Sequence, residues 1–319
     1  MAILAGIDEA GFGPLLGPLV VSSAAFAVEP DLLEADLWQV LRKSVGKCRK
    51  GLTGRLLIAD SKKAFNRDEG LGHLERTSLA VLDCIGKRPA ELTELLKLLC
   101  PDCLPRLAEY PWYQDLNECH LAAESSDQRI AAKVFAEDLH AHRAAMTHLW
   151  TCCLDVAYFN RMVDKVRNKA QVLFIAVTQL IQGLLARFPR ETLHIQIDRQ
   201  GGRSHYRENL LRSFPDMELA IVKEGEECSV YEMRGAGRLV RLTFEVKADD
   251  RYLPVSLASM VSKYIRELLM DRMNVYFGNL DAGLRPTAGY WQDGQRFVEE
   301  LRTRLPHVAI DNERLVRCR

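Results

Sequence analysis

The residues with the clearest chemical potential lie near the start of the chain, between residues 6 and 18. Asp8 and Glu9 follow a short apolar run, and three glycines and two prolines come within the next nine residues. An apolar run that ends at acidic residues and then turns on glycine places charge at the end of a strand. Adjacent carboxylates repel each other unless a cation lies between them, and hard oxygen ligands suit Mg²⁺ and Mn²⁺. We interpret this stretch as a candidate cation site; the alternative is a surface turn with two solvated carboxylates.

Two further carboxylates have the same setting, at or just after the end of a strand-like run. Asp198 follows the alternating run at residues 193–197, and Asp249 follows the run at residues 238–246. Carboxylates at neighbouring strand ends can converge on one site. Two divalent ions held there would activate a water on one side of a phosphate and stabilise the leaving oxygen on the other. The alternative is that these carboxylates cap helices. The candidate constellation comprises Asp8, Glu9, Asp198 and Asp249.

The bulk composition narrows the class of protein. The chain has 319 residues, with 43 Lys plus Arg and 43 Asp plus Glu, so its formal net charge is zero. That balance argues against a strongly basic nucleic-acid coat but leaves room for a local basic groove. Nine cysteines, an odd number, fit reduced thiols better than a disulfide framework. We expect no membrane-spanning stretch and no basic leader, and therefore a cytoplasmic location.

Strand-like and helical patterns alternate along the chain, which predicts an α/β fold with a central mixed sheet flanked by helices. Helices are predicted at residues 31–42, 68–85, 161–188 and 254–276 from apolar residues at helical spacing. A hairpin is predicted at residues 229–246, where the turn falls on a Gly-Ala-Gly sequence. These elements have to carry the four carboxylates to a common edge of the sheet.

The amino-acid composition and the length of the helical segments change between residues 86 and 145. Prolines recur there, the helical segments are short, and tyrosine and tryptophan cluster at residues 110–113. We interpret residues 86–145 as an inserted helical subdomain of unknown role. Residues 1–85 and 146–319 would then form the main domain.

Several motifs together resemble ribonuclease HII, the type 2 ribonuclease H. The most specific are Gly-Ile-Asp-Glu-Ala-Gly at residues 6–11, the Gly-Pro-Leu-Leu-Gly-Pro-Leu-Val-Val that follows, and Asp-Ser-Lys-Lys at residues 60–63. The weaker matches follow in the order of the family, at Phe159-Asn160, Ile197-Asp198, Asp249 with residues 257–267, and residues 287–290.

The resemblance implies a ribonuclease H-like fold and an endonuclease that cleaves the RNA strand of RNA–DNA hybrids or ribonucleotides embedded in DNA. The products would carry a 3′-hydroxyl and a 5′-phosphate. It implies Asp8, Glu9, Asp198 and Asp249 as catalytic ligands of magnesium or manganese, with two ions bound. The partner implied is a nucleic acid; neither a membrane nor a protein partner is implied.

The resemblance also implies a set of substrate contacts. Tyr290 would lie against the sugar next to the cut, and an aromatic ring suits that position because it stacks without reading sequence. Gly11 and Gly13 would offer backbone groups to the 2′-hydroxyl that distinguishes RNA from DNA. The residues expected to meet phosphates are Lys62, Lys63 and Lys263.

One departure from the family falls within this substrate-binding set. Phe12 stands between Gly11 and Gly13, where the family has arginine or lysine. An apolar ring there replaces a cation that could touch a phosphate, while the backbone contacts can be retained. Intact nuclease chemistry with an altered substrate preference is therefore predicted. The alternatives are a diverged nuclease acting on another structured nucleic acid and a non-catalytic nucleic-acid-binding protein.

A second metal site is a weaker hypothesis. Cys100 and Cys103 form a CxxC motif, and Cys119 with His120 follows in the same insert. Three thiolates and one imidazole can hold zinc. Adjacent cysteine and histidine side chains rarely reach one ion, however, so the alternative is a set of small apolar residues in the core of the insert.

Overall fold

A seven-stranded mixed sheet with helices on both faces forms the centre of the protein, in a computed structural model that describes residues 1–65, 70–122 and 126–318. The strands, including a separate short pair, are β1 (Ala2–Ala10), β2 (Leu19–Val28), β3 (Val45–Gly46), β4 (Leu56–Leu57), β5 (Ala145–Leu154), β6 (Leu193–Asp198), β7 (Glu218–Lys223), β8 (Cys228–Gly235) and β9 (Arg238–Glu245). The helices are α1 (Leu37–Val40), α2 (Ser61–Ala64), α3 (Gly72–Cys84), α4 (Leu92–Leu99), α5 (Leu104–Leu107), α6 (Ser126–Ala141), α7 (Val156–Val166), α8 (Lys169–Arg187), α9 (Arg207–Ser213), α10 (Ala248–Arg251), α11 (Leu253–Leu280), α12 (Trp291–Arg304) and α13 (Asn312–Leu315). The predicted α/β fold with a central mixed sheet is confirmed.

The strand order places the carboxylate-bearing segments side by side at the carboxyl ends of the central strands. The order is β5-β2-β1-β6-β9-β8-β7, with β1 antiparallel to β2 but parallel to β6, and β6 parallel to β9. Ile7 lies opposite Ile197, and Asp198 lies opposite Glu245. Parallel neighbours end on the same side of a sheet, so the last residues of β1, β6 and β9 are neighbours in space.

Strand β1 is buried on both of its faces. Leu4 belongs to the apolar cluster beneath α11, whereas Ile3, Ala5 and Ile7 belong to the cluster beneath α8. Successive side chains of a strand point to opposite faces, so a strand covered on both sides reads as a continuous apolar run. That burial explains why the residues before Asp8 contain no polar side chain.

Glycine at position 6 allows α11 to approach the sheet closely. A Cβ atom built on Gly6 would lie 2.1 Å from the backbone carbon of Pro254, in the first turn of α11. No side chain larger than hydrogen fits at that distance. The close contact sets the start of α11 beside the end of β1, where Asp8 and Glu9 lie.

The helix predicted at residues 161–188 is two helices, α7 and α8. Arg167 adopts a left-handed conformation with φ of 54°, and the Asn168 side chain accepts the amides of Ala170 and Gln171. Asparagine in that capping position starts a new helix. The helix predicted at residues 31–42 is also shorter than expected. The observed helix α1 begins at Leu37, because the Asp36 side chain caps it by accepting the Trp38 amide at 2.9 Å. Of the helix predicted at residues 68–85, residues 68 and 69 lie outside the described residues, and α3 begins at Gly72.

Within the described ranges, α8 is the one helix long and apolar enough, by length and composition, to cross a membrane. The expectation that the sequence contains no such stretch is therefore wrong. Of the most apolar window of α8, 56% is buried inside the structure, where its side chains pack in the cluster under β1 and β6. Core helices pass the same test, so this helix is weak evidence for a membrane span.

The segment at residues 86–145 shares its apolar core with the sheet. The buried side chains of α4 and α6 belong to the same cluster as those of β2 and α11. The ring of Trp112 lies 5.4 Å from that of Phe277 on α11. The division into a main domain and an inserted subdomain stays a prediction, but the insert packs directly on α11 and β5.

A buried carboxylate fastens this segment to the end of β5. Asp155 is only 2% exposed. Its carboxylate accepts hydrogen bonds from Arg106 Nε at 2.6 Å, from the Tyr110 hydroxyl at 2.7 Å and from the Tyr158 amide at 3.0 Å. The same side chain therefore caps α7 and pairs with the insert.

Replacing this carboxylate should destabilise the fold strongly. We expect Asp155→Asn to lower the free energy of unfolding by about 3 kcal/mol, because it leaves Arg106 without its anion and breaks a buried bonding cluster. Urea unfolding followed by circular dichroism measures the change. The control is Asp127→Asn, which removes an exposed pair with Arg76 and should cost less than about 1 kcal/mol. Equal effects of the two variants would contradict this account.

Candidate active site

Four carboxylates predicted from the sequence line one cleft of about 330 Å³ at the carboxyl ends of the parallel strands. Asp8 and Glu9 come from β1, Asp198 ends β6, and Asp249 lies on α10, directly after β9. Other residues lining the cleft include Asp60, Ser61, Lys62, Arg199, Lys247, Asp250 and Ser259. The structure thus brings together all four predicted acids.

Asp8 lies deepest among the four and is 7% exposed. Its Oδ1 accepts the amide of Glu9 at 2.7 Å, and its backbone carbonyl accepts the Ser262 hydroxyl of α11 at 3.1 Å. Burial, then the charges of Glu9, Asp198 and Asp249, raise the pKa of Asp8 well above its ordinary value. Burial and the charge of Asp198 raise the pKa of Glu9 to about 7. Mutual repulsion in a desolvated site is therefore the dominant electrostatic feature.

Asp198 and Asp249 are joined through the backbone. Oδ1 of Asp198 accepts the amide of Ala248 at 2.8 Å, which holds the start of α10 against the end of β6. Burial raises the pKa of Asp198 to about 6. The pKa of Asp249 is also raised, by burial and then by the charge of Asp60. Lys247, in a left-handed conformation with φ of 55°, makes the turn that leads into α10.

Within the described residues, no lysine or arginine forms an ion pair with any of these four carboxylates. Lys62 lines the cleft and lowers the pKa of Glu9, Asp198 and Asp249 through its charge. Its contribution is smaller than the effect of burial at each of them. The cleft is therefore lined by more acidic side chains than basic ones, and charge on those acidic side chains is costly away from water.

The side chains fit divalent cations in their donor type and charge. All four offer carboxylate oxygens, the ligands that Mg²⁺ and Mn²⁺ prefer, and a cation would offset their repulsion. Among the described residues, no three acidic, histidine or cysteine side chains lie close enough together to form a complete set of ligands for one ion.

The three predicted phosphate-binding lysines have different surroundings. Lys62 is exposed at the rim of the acidic cleft. Lys63 is also exposed and pairs with Asp250 at 2.7 Å. Lys263 is only 8% exposed and pairs with Glu267 at 2.6 Å, one turn along α11. Of the three ammonium groups, only that of Lys62 is both exposed and at the acidic cleft, and the predicted phosphate contacts of all three lysines stay predictions.

The backbone at Gly11 turns in a conformation reserved for glycine. Its φ is 91°, and a Cβ atom there would lie 2.6 Å from both the Pro18 carbonyl oxygen and Nε of Arg266. Arg266 is 1% exposed and donates to the carbonyls of Leu16 at 3.3 Å and Ala288 at 3.0 Å. This one guanidinium therefore connects residues 11–17, called the glycine loop below, to the loop that precedes Tyr290.

Phe12 and Gly13 lie in a second cleft, of about 530 Å³, rather than in the acidic one. The ammonium of Lys169 lies 5.4 Å from the centre of the Phe12 ring, and Trp291 lines the same cleft. Arg317 is 4% exposed and donates to the Phe12 carbonyl at 3.2 Å and to the carbonyl of Pro14. The last residues of the chain thus hold the glycine loop in place.

Tyr290 is 51% exposed and directly precedes α12. The carboxylate of Asp293 accepts the Thr287 hydroxyl at 2.7 Å and the Ala288 amide at 2.8 Å, which fixes the turn before the tyrosine. The Gly289 carbonyl accepts the Leu15 amide at 2.8 Å. The ring is therefore presented from a braced loop, as a predicted contact surface requires.

Three residues at this site were not predicted from the sequence: Arg266, Arg317 and Ser259. Ser259, which helps to lower the pKa of Asp8 through a hydrogen bond, lies within the α11 segment that matched the family motif, as does Arg266. A closer reading of that motif was the available signal for both. Nothing in the local sequence around Arg317 indicates that it reaches back to residues 12–14.

Comparisons with known proteins return only structural neighbours, since no family model and no curated protein matches the chain. One solved neighbour is the ribonuclease HII of Archaeoglobus fulgidus in complex with PCNA, with 17% identity, a TM-score of 0.46, and coverage of 99% of this chain and 94% of that one. Bst-RNase HIII in complex with Mn²⁺ has 15% identity, a TM-score of 0.42, and coverage of 99% and 66%. The ribonuclease H2 of Pyrococcus horikoshii has 14% identity, a TM-score of 0.39, and coverage of 98% and 92%.

These neighbours are type 2 ribonucleases H, the same family that the sequence motifs resemble. At these scores the similarity by itself decides nothing about activity. The sequence motifs implied no protein partner, whereas one of these neighbours was solved in complex with PCNA.

Neutralising Asp8 should stabilise the metal-free protein. Because burial and neighbouring like charges disfavour the ionised form of Asp8, we expect Asp8→Asn to raise Tm in EDTA by about 2 °C or more. Added Mg²⁺ or Mn²⁺ should raise Tm of the wild type and have a much smaller effect on the variant. Thermal unfolding followed by circular dichroism tests both. Asp164→Asn, at an exposed surface carboxylate, is the control and should change neither. A lower Tm of Asp8→Asn in EDTA would refute the repulsion argument.

Asp293 should make the stability of the Tyr290 loop depend on pH. Burial raises its pKa, but hydrogen bonds from Thr287 and Arg296 outweigh that effect, so the net pKa is lowered. A carboxylate with a lowered folded-state pKa stabilises the fold above its unfolded pKa, and the contribution is lost as pH falls through the folded pKa. We expect Asp293→Asn to cost about 1 kcal/mol at neutral pH, allowing for solvent screening of this partly exposed group.

The difference between wild type and Asp293→Asn should shrink as pH falls below about 4. Urea unfolding of both proteins from about pH 7 to about pH 3 measures it. Asp164→Asn, whose carboxylate is exposed, provides the control and should show no such pH-dependent difference. A destabilisation by Asp293→Asn that is the same at every pH would exclude this role of the carboxylate.

Proposed function

We propose that this protein is a metal-dependent endonuclease that hydrolyses the RNA strand of RNA–DNA hybrids, or ribonucleotides embedded in DNA. The observation that carries the proposal is the convergence of Asp8, Glu9, Asp198 and Asp249 in one cleft, without ion-paired cations among the described residues. Desolvated carboxylates of this kind have no structural benefit for a protein that only binds phosphates. They do suit the binding of divalent ions.

In this proposal the four carboxylates hold two Mg²⁺ or Mn²⁺ ions. When bound, such ions activate a water for attack on a phosphodiester and stabilise the leaving oxygen. The protein contributes the fixed position of the ligands. Ser262 and Gly6 place α11 against Asp8, and the Ala248 amide orients Asp198.

Substrate binding is assigned to groups around the rim. Lys62 lies at the acidic cleft and is placed to meet a phosphate next to the cut. Tyr290 presents an exposed ring that can lie against a sugar without selecting a sequence. The open backbone at Gly13, where a Cβ atom would meet nothing within 4 Å, leaves room for a sugar 2′-hydroxyl.

Phe12 is assigned an apolar contact with the nucleic acid. Its ring lies beside the Lys169 ammonium, so a cation remains near this position although the family's own cation is absent. The backbone groups of Gly11 and Gly13 are independent of the side chain between them. Ribonucleotide recognition is therefore expected to survive, while the strength of phosphate binding at this point is expected to differ.

Cleavage should require a ribonucleotide, a divalent ion and the acidic cleft. We expect cutting of a labelled RNA–DNA hybrid or of DNA with one embedded ribonucleotide, with Mg²⁺ or Mn²⁺, and no cutting of plain DNA. Asp8→Asn and Asp249→Asn should each lower the rate more than about 100-fold, beyond the loss of an outer-shell partner. Product length and end groups are read on denaturing gels, with a 5′-phosphate expected.

The control variant is Asp164→Asn, which should retain full activity. Fluorescence anisotropy with the same duplexes separates binding from cleavage, because Asp8→Asn should still bind. Cutting of plain DNA at the same rate would favour a diverged nuclease. Binding without cutting by the wild type, with either ion, would favour a non-catalytic nucleic-acid-binding protein and overturn the proposal.

A further inference from the structure

Three cysteine thiols meet in the insert, away from the acidic cleft. Cys100 precedes a 3₁₀ turn that follows α4, Cys103 is the last residue of that turn, and their sulfur atoms lie 3.5 Å apart. Cys153, on β5, is the other thiol that interacts with Cys103, and it lines the same cleft. This thiol cluster, Cys100, Cys103 and Cys153, joins the insert to an edge strand of the sheet.

The zinc site considered from the sequence does not form. Cys119 has its charged neighbours elsewhere, at Arg272, Asp271 and Glu75, and not at Cys100 or Cys103. Among the described residues, no group of three metal-binding side chains is arranged for an ion. Cys119 therefore does not belong to the thiol cluster.

We propose that Cys100 and Cys103 form a reversible disulfide by exchange with a small disulfide molecule, with Cys153 as an alternative partner of Cys103. The spacing of two residues between the cysteines and the turn that connects them already bring the sulfurs close. Disulfide formation needs an approach to about 2 Å, which side-chain rotation within a short turn can supply.

The cluster faces a cleft of about 500 Å³, large enough for a small organic molecule. Cys100, Cys103, Cys152 and Cys153 all line it, together with Trp150 and Tyr158. Cys100 and Cys103 are each at most 3% exposed, so bulky reagents are excluded while a slender one can enter the cleft. The oxidant implied is thus a compact disulfide.

The electrostatics favour Cys103 as the attacking sulfur. Hydrogen bonds with Cys100 and then Cys153 lower its pKa to about 5, against the effect of burial, and the charge of Arg106 adds to the lowering. Arg106 is held nearby by Asp155 at 2.6 Å and by the Cys153 carbonyl at 2.8 Å. The thiolate is the nucleophile in disulfide exchange.

The exchange balances without a further reagent. The Cys103 thiolate attacks one sulfur of the small disulfide, whose sulfur–sulfur bond breaks and releases one small thiolate. The Cys100 sulfur then attacks the Cys103 sulfur of the mixed disulfide, and the second small thiolate leaves. The Cys100 proton and one proton from solvent end on the two small thiols. Two protein thiols are oxidised, and one small disulfide is reduced.

The test uses the full chain with Cys48 and Cys318, the two exposed cysteines, replaced by serine. The reduced protein is incubated with hydroxyethyl disulfide, free thiols are alkylated, and peptide mass spectrometry locates the cross-links. We expect one internal disulfide between Cys100 and Cys103, which small thiols reverse. Cys103→Ser should abolish it. Cys100→Ser should redirect the bond to Cys153.

Cys119→Ser is the matched control, since Cys119 is also buried in the insert, and it should leave the cross-link unchanged. Mapping the bond in the parent protein does not depend on the folding of any variant. Absence of an internal bond while Cys103 remains alkylatable, or a cross-link that omits Cys103, would overturn the proposal. So would a stoichiometric metal ion on these thiols in native mass spectra.

Discussion

Repulsion among buried carboxylates is the constraint on which the rest of the structure depends. Asp8, Glu9 and Asp198 are placed where burial and like charges raise the pKa of each. Folding this arrangement without a cation costs free energy that the surrounding core has to offset. Strand β1 supplies part of that through burial on both faces, and α11 supplies more through its close approach at Gly6. A site of this kind gains most when a cation is bound.

Two buried arginines fix the loops at residues 11–17 and 287–290 to the core of the protein. Arg266 reaches from α11 to the carbonyls of residues 16 and 288, and Arg317 reaches from the end of the chain to residues 12 and 14. Both guanidiniums use several donors in one plane, which suits the bracing of loops whose carbonyls point inward. The glycine loop and the loop that precedes Tyr290 are thereby both fixed in position against α11.

Predictions from local sequence succeeded where periodicity and turn chemistry are sufficient. The hairpin over β8 and β9 and the long helix α11 follow directly from alternation, apolar spacing and glycine placement. The single helix expected at residues 161–188 failed because one left-handed residue, Arg167, lies inside an otherwise helical pattern. Lys263 fits a phosphate-binding pattern in sequence, yet its ammonium forms an ion pair with Glu267, one turn away on the same helix. Such pairings depend on which face of a helix is buried.

The sequence by itself determined the α/β class, the four carboxylates and the glycine loop, because each is encoded by neighbouring residues. Only the tertiary structure decided that β1, β6 and β9 are parallel neighbours, and so that acids far apart in the chain share one cleft. It also decided that Cys103 meets Cys100 and Cys153 and not Cys119, and that Arg317 closes the glycine loop. Contacts between distant segments depend on the packing of the whole chain, which local patterns do not specify.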